Sequence, residues 1–407
     1  MLALAWLAYL YFGLLAFSLA PLIATLRSQL HFSAAAGGVL LGAYPLAYVA
    51  AALQVGRLAD TFGVKRSVTA GLALIAGSAL LRAPAGSFPA LFVATLLLGI
   101  GGPVVSTVLP KLVAEWFPAA SRTGAIGIYL TGPNLGAAVA FGFTPALAAA
   151  LGSWRTLYLV YGAAGVALLG VWQVFALERP GPFAAPAGAG PAGARPAGTG
   201  RTETATVSSP AWRMGRVWLV VATGAATFVM TQGYVSWMPA LLAAQGLSGP
   251  DTALWGGLSR LGTLAGNVAL APLLARAGRG RPAGQRDVIT GLLAVSAGGV
   301  AAGMIGSQLL TVTGLLVQSV CAGALMPVLF GVLLALPGLP SRQAATAAGL
   351  YFTVGQLAAA LSPVVVGLLL DSTGGFTSGL AAITGAVIAA IVPARMLPPA
   401  QRAATGA

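Results

Sequence analysis

The residue whose chemistry stands out in this 407-residue chain is Arg260, inside the apolar stretch ALWGGLSRLGTLAGNVALAPLLA at 253–275. That stretch contains no acid. If a helix begins near Thr252, a rise of about 1.5 Å per residue puts Arg260 roughly 12 Å along it. In lipid, an unpaired arginine at such a depth costs at least about 2.5–3.5 kcal/mol. Either Arg260 receives an anion, or it reaches the membrane surface or pairs with Asp251 or Asp371.

The acidic residues could carry protons only if one lay deep in the membrane. We expect every acid in a loop, in a linker or at a helix end: Asp60, Glu115, Glu178, Glu203, Asp251, Asp287 and Asp371. A dedicated buried proton-carrying carboxylate is therefore not expected, and His31 is predicted to be a loop residue. Cys321 is the single cysteine, which excludes an internal disulfide. The sequence predicts no metal site, no catalytic residues and no cofactor.

The elements that position Arg260 are predicted from composition. Hydrophobic residues make up 58% of the chain and charged residues 7%, whereas a soluble domain carries about 25% charged residues. Apolar runs of roughly 18–25 residues recur, each able to cross the bilayer as a helix. The sequence predicts an all-α membrane protein with twelve transmembrane helices, at 2–26, 34–57, 67–83, 88–112, 122–150, 155–177, 214–243, 252–275, 287–306, 308–336, 342–370 and 376–396.

The predicted organisation is two bundles of six helices, 1–177 and 213–397. A linker rich in Pro, Gly and Ala joins them at 178–212, and a tail follows at 398–407. With the N-terminus inside, all Lys and Arg fall on the inner side except four: Arg27, Arg82, Arg155 and Arg260. The positive-inside rule then places both termini, the linker and the tail in the cytoplasm. The net charge of +14 is accordingly no sign of nucleic-acid binding, and we expect a monomer in a bacterial inner membrane.

The two halves also resemble each other in sequence. GIYLTGPNLG at 127–136 aligns without gaps on GLYFTVGQLA at 349–358. The alignment pairs Tyr129 with Tyr351, Thr131 with Thr353, and Asn134 with Gln356. Continuing the register of SLAP (18–21) on SWMP (236–239) places Gly42 opposite Arg260. Parallel six-helix repeats are an arrangement of transporters, whose substrate site lies at the repeat interface near the midplane.

The segment GRLADTFGVKR at 56–66 resembles the loop signature of the major facilitator superfamily. Five positions match the signature: Gly56, Leu58, Asp60, Gly63 and Lys65. Thr61 and Val64 replace residues that are usually basic, and a degraded copy of the signature, APLLARAGRGR, follows at 271–281. The resemblance implies twelve helices, alternating access, and a cytoplasmic gate that Gly56, Asp60, Gly63 and Lys65 serve.

Two finer resemblances compete in the fifth helix. GIYLTGPNLG is similar to the glycine-rich signature of nitrate/nitrite porters, whereas TGPNLGAA looks like the Gly-Pro motif of drug/proton antiporters. The blocks at 99–129 and 233–242 look most like those of cyanate-type and nitrate-type small-anion porters. Nitrate porters present an arginine in each half, whereas Gly42 stands opposite Arg260 here.

These observations predict a carrier of a small anion, either an inorganic anion or a monocarboxylate, that works as an antiporter, a facilitator or a symporter. Arg260 would hold the anion, and polar and aromatic residues of the cavity helices would orient it: Tyr44, Tyr48, Tyr129, Thr131, Asn134, Gln232, Tyr234, Trp237, Tyr351, Thr353 and Gln356. Singly, each of these is more often a packing residue. The rivals are an exporter of drugs or hydrophobic cations, and a sensor without transport. An enzyme is the least favoured reading, because no nucleophile–base pair or metal cluster is apparent.

Overall fold

The protein is described by a computed structural model that covers residues 1–177, 210–277, 284–340 and 343–398, without the side chains of 53, 56–61, 119, 123, 275 and 277. Within these ranges the chain forms twelve helical rods. The first half contains α1 (Leu2–Leu30), α2 and α3 (together Ala34–Arg82), α4 (Phe88–Trp116), α5 (Ala119–Ala150) and α6 (Trp154–Phe175). The second contains α7 (Gly215–Ala244), α8 (Gly249–Ala265 with Gly266–Leu270 and Ala271–Ala277), α9 (Gly284–Ala302), α10 (Gln308–Leu334), α11 (Ala344–Thr373) and α12 (Thr377–Arg395).

The rods coincide with the twelve predicted spans to within a few residues, which confirms the all-α class. Ten helices of the described part are long and apolar enough to cross a membrane. The other two rods are α8 and α9. A π-helical segment interrupts α8 after Ala265, and α9 begins with Arg286 and Asp287 in its first turns. Most of the predicted linker (178–209) and the tail from 399 lie outside the described residues, so the domain limits stay predictions.

A glycine makes the turn between α2 and α3. Gly63 has φ +77° and ψ 169° inside the otherwise helical stretch Ala34–Arg82. Glycine adopts a positive φ without the steric penalty that a Cβ brings. The chain therefore reverses direction at Gly63, within the segment that carries the gate signature.

Glycines allow close helix packing within each half. In the first half, a methyl group at Gly136 would overlap the backbone of Leu10, and one at Gly13 would overlap Pro133, so α1 and α5 pack closely. In the second half, a methyl group at Gly224 would overlap the ring of Tyr351, so this ring packs directly on α7. Small residues allow such close approach where lipid supplies no hydrophobic driving force between helices.

The two halves meet along α2 and α11. Methyl groups at Gly38 and Gly42 would overlap the carbonyl oxygens of Pro363 and Ala360. At the end of this seam the carboxylate of Asp371 accepts hydrogen bonds from Ala34 N (2.9 Å) and Ala35 N (2.7 Å), the first amides of α2. We call this end of the molecule the Asp371 face. It is closed by backbone packing and by a carboxylate at a helix N-terminus, where the dipole favours negative charge.

Arg27 also contacts Asp371, with 3.9 Å between Nη2 and Oδ1. Asp371→Asn removes the charge that holds the two halves together at this face. Because such a contact contributes about 0.3–1 kcal/mol, we expect the ratio of closed to open conformers to fall about twofold to fivefold. Spin labels at the ends of α2 and α11 measure that ratio. Asp287→Asn, at an exposed acid in the first turn of α9, is the control, and equal distance distributions in the two variants would contradict the expectation.

Candidate functional site

Arg260 of α8 points into the protein interior, with 6% of its surface exposed. Its Nε donates a long hydrogen bond to Ser259 Oγ (3.4 Å), and the guanidinium carbon is 5.9 Å from the ring centroid of Phe141 on α5. The two terminal nitrogens make no hydrogen bond to any described residue, yet neither is sealed from solvent. The charged end of Arg260 therefore faces accessible space near the α5–α8 seam.

Both acids that could have neutralised Arg260 are engaged elsewhere. Asp251 accepts a hydrogen bond from Ser248, the residue that caps the start of α8. Asp371 binds the first amides of α2 and contacts Arg27. Across the described ranges no carboxylate lies within ion-pair distance of Arg260, so protein groups do not compensate its charge.

A second buried arginine, Arg82, is enclosed more completely than Arg260. Arg82, at the end of α3, is fully buried. Its Nη1 donates to Leu15 O (3.2 Å), and its guanidinium carbon is 5.4 Å from the ring centroid of Tyr158. Its Nε and Nη2 are shielded from solvent. Arg82 is thus enclosed within the first half, whereas Arg260 opens between the halves.

Tyr44 connects the halves beside Arg260. Its hydroxyl donates to Gln232 Oε1 of α7 (3.3 Å), and Gln232 Nε2 donates to Ser236 Oγ (3.2 Å). The ring of Phe17 lies between Tyr44 (6.3 Å) and Phe141 (6.2 Å), the ring nearest to the guanidinium of Arg260. The structure therefore brings together three of the predicted residues, Arg260, Tyr44 and Gln232, from both repeats.

The other predicted residues of the first half lie on α2 and α5. The hydroxyl of Tyr48 shares a hydrogen bond of 2.6 Å with Ser106. Tyr129 packs against Tyr9 with tilted rings, 5.9 Å between centroids, and Thr131 Oγ1 accepts a hydrogen bond from Trp6 Nε1 (2.9 Å). Asn134 is half-buried and donates only a long bond of 3.5 Å to Leu130 O of its own helix.

In the second half the predicted residues are placed differently. Tyr351 packs among Phe228, Phe330 and Phe352, and Tyr234 is 1% exposed with its hydroxyl unpartnered. Trp237 donates to Pro363 O (2.9 Å) and covers Gly37, so it packs at the Asp371 face. Thr353 and Gln356 are half-buried on α11, and no hydrogen bond in the described part joins them to Arg260. Because Gly224 of α7 leaves room for the ring of Tyr351, this side chain points into the interior of the second bundle.

The gate residues are only partly visible. Gly63 makes the turn described above, and Lys65 Nζ donates to Gln173 O at the end of α6 (2.9 Å). Lys65 therefore holds the first half together at that end. The predictions for Gly56 and Asp60 lie outside the described side chains. His31 is exposed at the end of α1 with its backbone in the left-handed helical conformation, as expected of a loop residue. Cys321 is a buried free thiol.

Sequence reasoning missed the aromatic rings that surround Tyr44. Phe12 and Phe17 of α1 lie 6.5 Å and 6.3 Å from Tyr44 between ring centroids, and Phe17 lies 6.2 Å from Phe141. The only sequence signal for these rings is the aromatic content of α1, and aromatic residues in an apolar helix are indistinguishable from residues that face lipid.

The comparison with known proteins decides the family. The profile of the Major Facilitator Superfamily matches residues 5–363. The chain belongs to this superfamily. It is therefore a transporter and a multi-pass membrane protein, not an enzyme, and it moves a small-molecule substrate. The finer likeness to cyanate-type and nitrate-type porters stays a prediction.

Individual members of the superfamily resemble the chain over most of its length. It is 26% identical over 378 residues to the "Uncharacterized transporter YycB" of Bacillus subtilis (strain 168), covering 91% of this chain and 86% of that protein. It is 28% identical over 371 residues to the "Probable sulfoacetate transporter SauU" of Cupriavidus necator, covering 88% and 83%. The crystal structure of a bacterial homolog to the human lysosomal transporter Spinster, inward-facing and occupied, matches with a TM-score of 0.74 at 15% identity, covering 97% of this chain and 95% of that one.

Proposed function

We propose that this superfamily member carries a small anion by alternating access, with Arg260 as the anion ligand. One observation carries the proposal: a buried arginine between the halves, without a carboxylate partner in the described residues and with its terminal nitrogens open to accessible space. A bound anion compensates that charge in a short, often bidentate contact. Tyr44 and Gln232, which join the two halves by a hydrogen bond, would set the orientation of the substrate.

A single cation favours a monovalent anion, which includes a monocarboxylate. The described acids stand at helix ends: Glu115 in the last turn of α4, Asp251 and Asp287 in first turns, and Asp371 near the end of α11. Coupling through a buried carboxylate therefore has no support, and the anion moves by exchange, by facilitated diffusion, or together with a proton. The relative named for sulfoacetate supports an anionic substrate.

The proposal includes an orientation. The positive-inside rule puts both termini of this monomer in the cytoplasm of a bacterium and the Asp371 face outside the inner membrane. The α2–α11 seam closes that face in the described conformation, as expected when the outer gate is shut. The segment of Gly56, Asp60, Gly63 and Lys65 then belongs to the cytoplasmic gate. Asn134, Tyr129, Gln356 and Tyr351 remain orienting residues that other conformers bring to the substrate.

Thermal-shift measurements on purified protein test the ligand assignment. Nitrate, nitrite, cyanate, formate, lactate, oxalate and tetraphenylphosphonium are screened against wild type, Arg260→Ala and the control Arg216→Ala. Arg216 is exposed in the first turn of α7. An anion at about 100 times its Kd stabilises the folded state by about 2.7 kcal/mol, and we expect this gain in wild type and the control but not in Arg260→Ala.

Transport in proteoliposomes provides the second readout. We expect the stabilising anion to exchange across the membrane in wild type and Arg216→Ala, with loss of exchange in Arg260→Ala. Stabilisation by tetraphenylphosphonium alone, unchanged in Arg260→Ala, would make Arg260 structural and favour an exporter of hydrophobic cations.

A further inference from the structure

Six aromatic rings pack in a continuous row that leads away from Arg260, and we call it the aromatic wall: Phe141, Phe17, Tyr44, Phe12, Tyr48 and Tyr9. Phe141 and Phe12 are buried within the row. Neighbouring centroids are separated by 6.2 Å for Phe141 and Phe17, 6.3 Å for Phe17 and Tyr44, and 6.5 Å for Tyr44 and Phe12. Phe12 then lies 6.5 Å from Tyr48 and 5.9 Å from Tyr9. All six rings belong to the first half, while Arg260 belongs to the second.

The wall offers ring surface rather than hydrogen bonds. The hydroxyls of Tyr44 and Tyr48 are bound to Gln232 and Ser106. Gln232 in turn uses its oxygen on Tyr44 and its nitrogen on Ser236. Phe17, Tyr44, Tyr48 and Tyr9 nevertheless keep part of their surface accessible. Along the row from Arg260, the first rings with accessible surface are therefore Phe17 and Tyr44.

We infer that the substrate is a monocarboxylate with an aromatic ring, whose carboxylate binds Arg260 and whose ring lies against the aromatic wall. This inference rests on the proposed function and narrows its substrate class. A bare inorganic anion would leave the ring surface without a partner, and a dianion would leave its second charge in an apolar space. Aromatic pairs prefer offset or edge-to-face contacts at centroid distances of about 4.5–7 Å, and the spacing of the wall provides such positions.

The contact also bridges the two repeats. The ring of the substrate binds α1, α2 and α5 of the first half, and its carboxylate binds α8 of the second. Such a ligand gains both contacts only when the halves are close to each other around it. A ring without a charge, or a charge without a ring, gains one contact and leaves the other group unpaired.

Matched ligands separate ring from charge: benzoate, cyclohexanecarboxylate, acetate and benzyl alcohol. Titration calorimetry on purified wild type is expected to give a Kd for benzoate about tenfold below that for cyclohexanecarboxylate, because aromatic contacts add to simple area burial. Acetate should bind more weakly than both, and benzyl alcohol should not bind measurably.

Two Phe→Leu variants test whether the preference for benzoate depends on the aromatic wall. Phe17→Leu is expected to reduce the tenfold preference for benzoate to twofold or less. Phe143→Leu is the control, because Phe143 is 65% exposed on the outer surface of α5, away from Phe141, and it should keep the preference. Arg260→Ala should remove binding of every carboxylate.

The outcomes distinguish this inference from the proposed function. Equal affinities for benzoate and cyclohexanecarboxylate, with both lost in Arg260→Ala, overturn the aromatic assignment and leave the anion site standing. A benzoate preference that Phe17→Leu does not change also overturns it. Carboxylate binding that survives Arg260→Ala overturns the proposed function together with this inference.

Discussion

Arg260→Met is expected to make the ligand-free protein more stable while abolishing its response to anions. Methionine keeps the length of the side chain and removes a charge that no described acid compensates. Burying arginine at the centre of a membrane helix costs about 2.5–3.5 kcal/mol on the insertion scale, which sets the scale of the expected gain. The melting temperature in detergent without ligand should therefore rise above that of wild type, whereas added anion should no longer shift it.

The sign of this change separates a binding residue from a structural one. A structural arginine that holds its helices together lowers stability when it is removed. Arg82→Met is the control for anion dependence, because Arg82 is sealed in the first half against Leu15 and Tyr158, and this variant should still respond to anions. A fall in the ligand-free melting temperature of Arg260→Met would show that Arg260 supports the fold.

Gly42→Ala is expected to prevent closure of the Asp371 face. The added methyl group would overlap the carbonyl oxygen of Ala360, and a backbone atom cannot rotate away as a side chain can. Overpacking of this kind costs typically about 1–3 kcal/mol, which corresponds to a roughly 5- to 150-fold change in a conformational equilibrium. Because carriage requires both faces to close in turn, the exchange rate should fall by a comparable factor.

The matched control for this variant lies on the partner helix of the same seam. A Cβ at Gly349 of α11 would meet no atom within 4 Å, so Gly349→Ala should keep the exchange rate of wild type. Exchange in proteoliposomes gives the rate, and spin labels on α2 and α11 give the separation of the seam. Equal rates and separations in Gly42→Ala and Gly349→Ala would contradict the proposed role of the seam.

Pseudo-symmetry relates the two seams between the halves. The sequence alignment placed Gly42 opposite Arg260, and in the structure Gly42 packs on Ala360 at the α2–α11 seam. Arg260 stands near Phe141 at the α5–α8 seam. At the aligned position, the first half thus has a glycine that allows close backbone contact, and the second half has a charged arginine. A symmetric pair of glycines would leave the α5–α8 seam without a charge.

Local composition was enough to predict the helices. Hydrophobic runs of spanning length gave the twelve rods, because a helix in lipid must satisfy all of its backbone groups within itself. The acids at helix ends followed from the same rule, since a carboxylate in hydrocarbon is costly. Arg260 was visible for the same reason, as an exception that nothing in its own helix compensates.

The tertiary structure alone decided which face of each helix is turned toward its neighbours. Tyr129 and Tyr351 are equivalent in sequence, yet Tyr129 joins the rings near Tyr9, and Tyr351 packs on Gly224 within the second bundle. Helices rich in Gly, Ala and Leu have no polar face to indicate their rotation. That rotation is set by the fit of small residues against neighbouring backbones, and this packing turned Phe12 and Phe17 of α1 toward Tyr44.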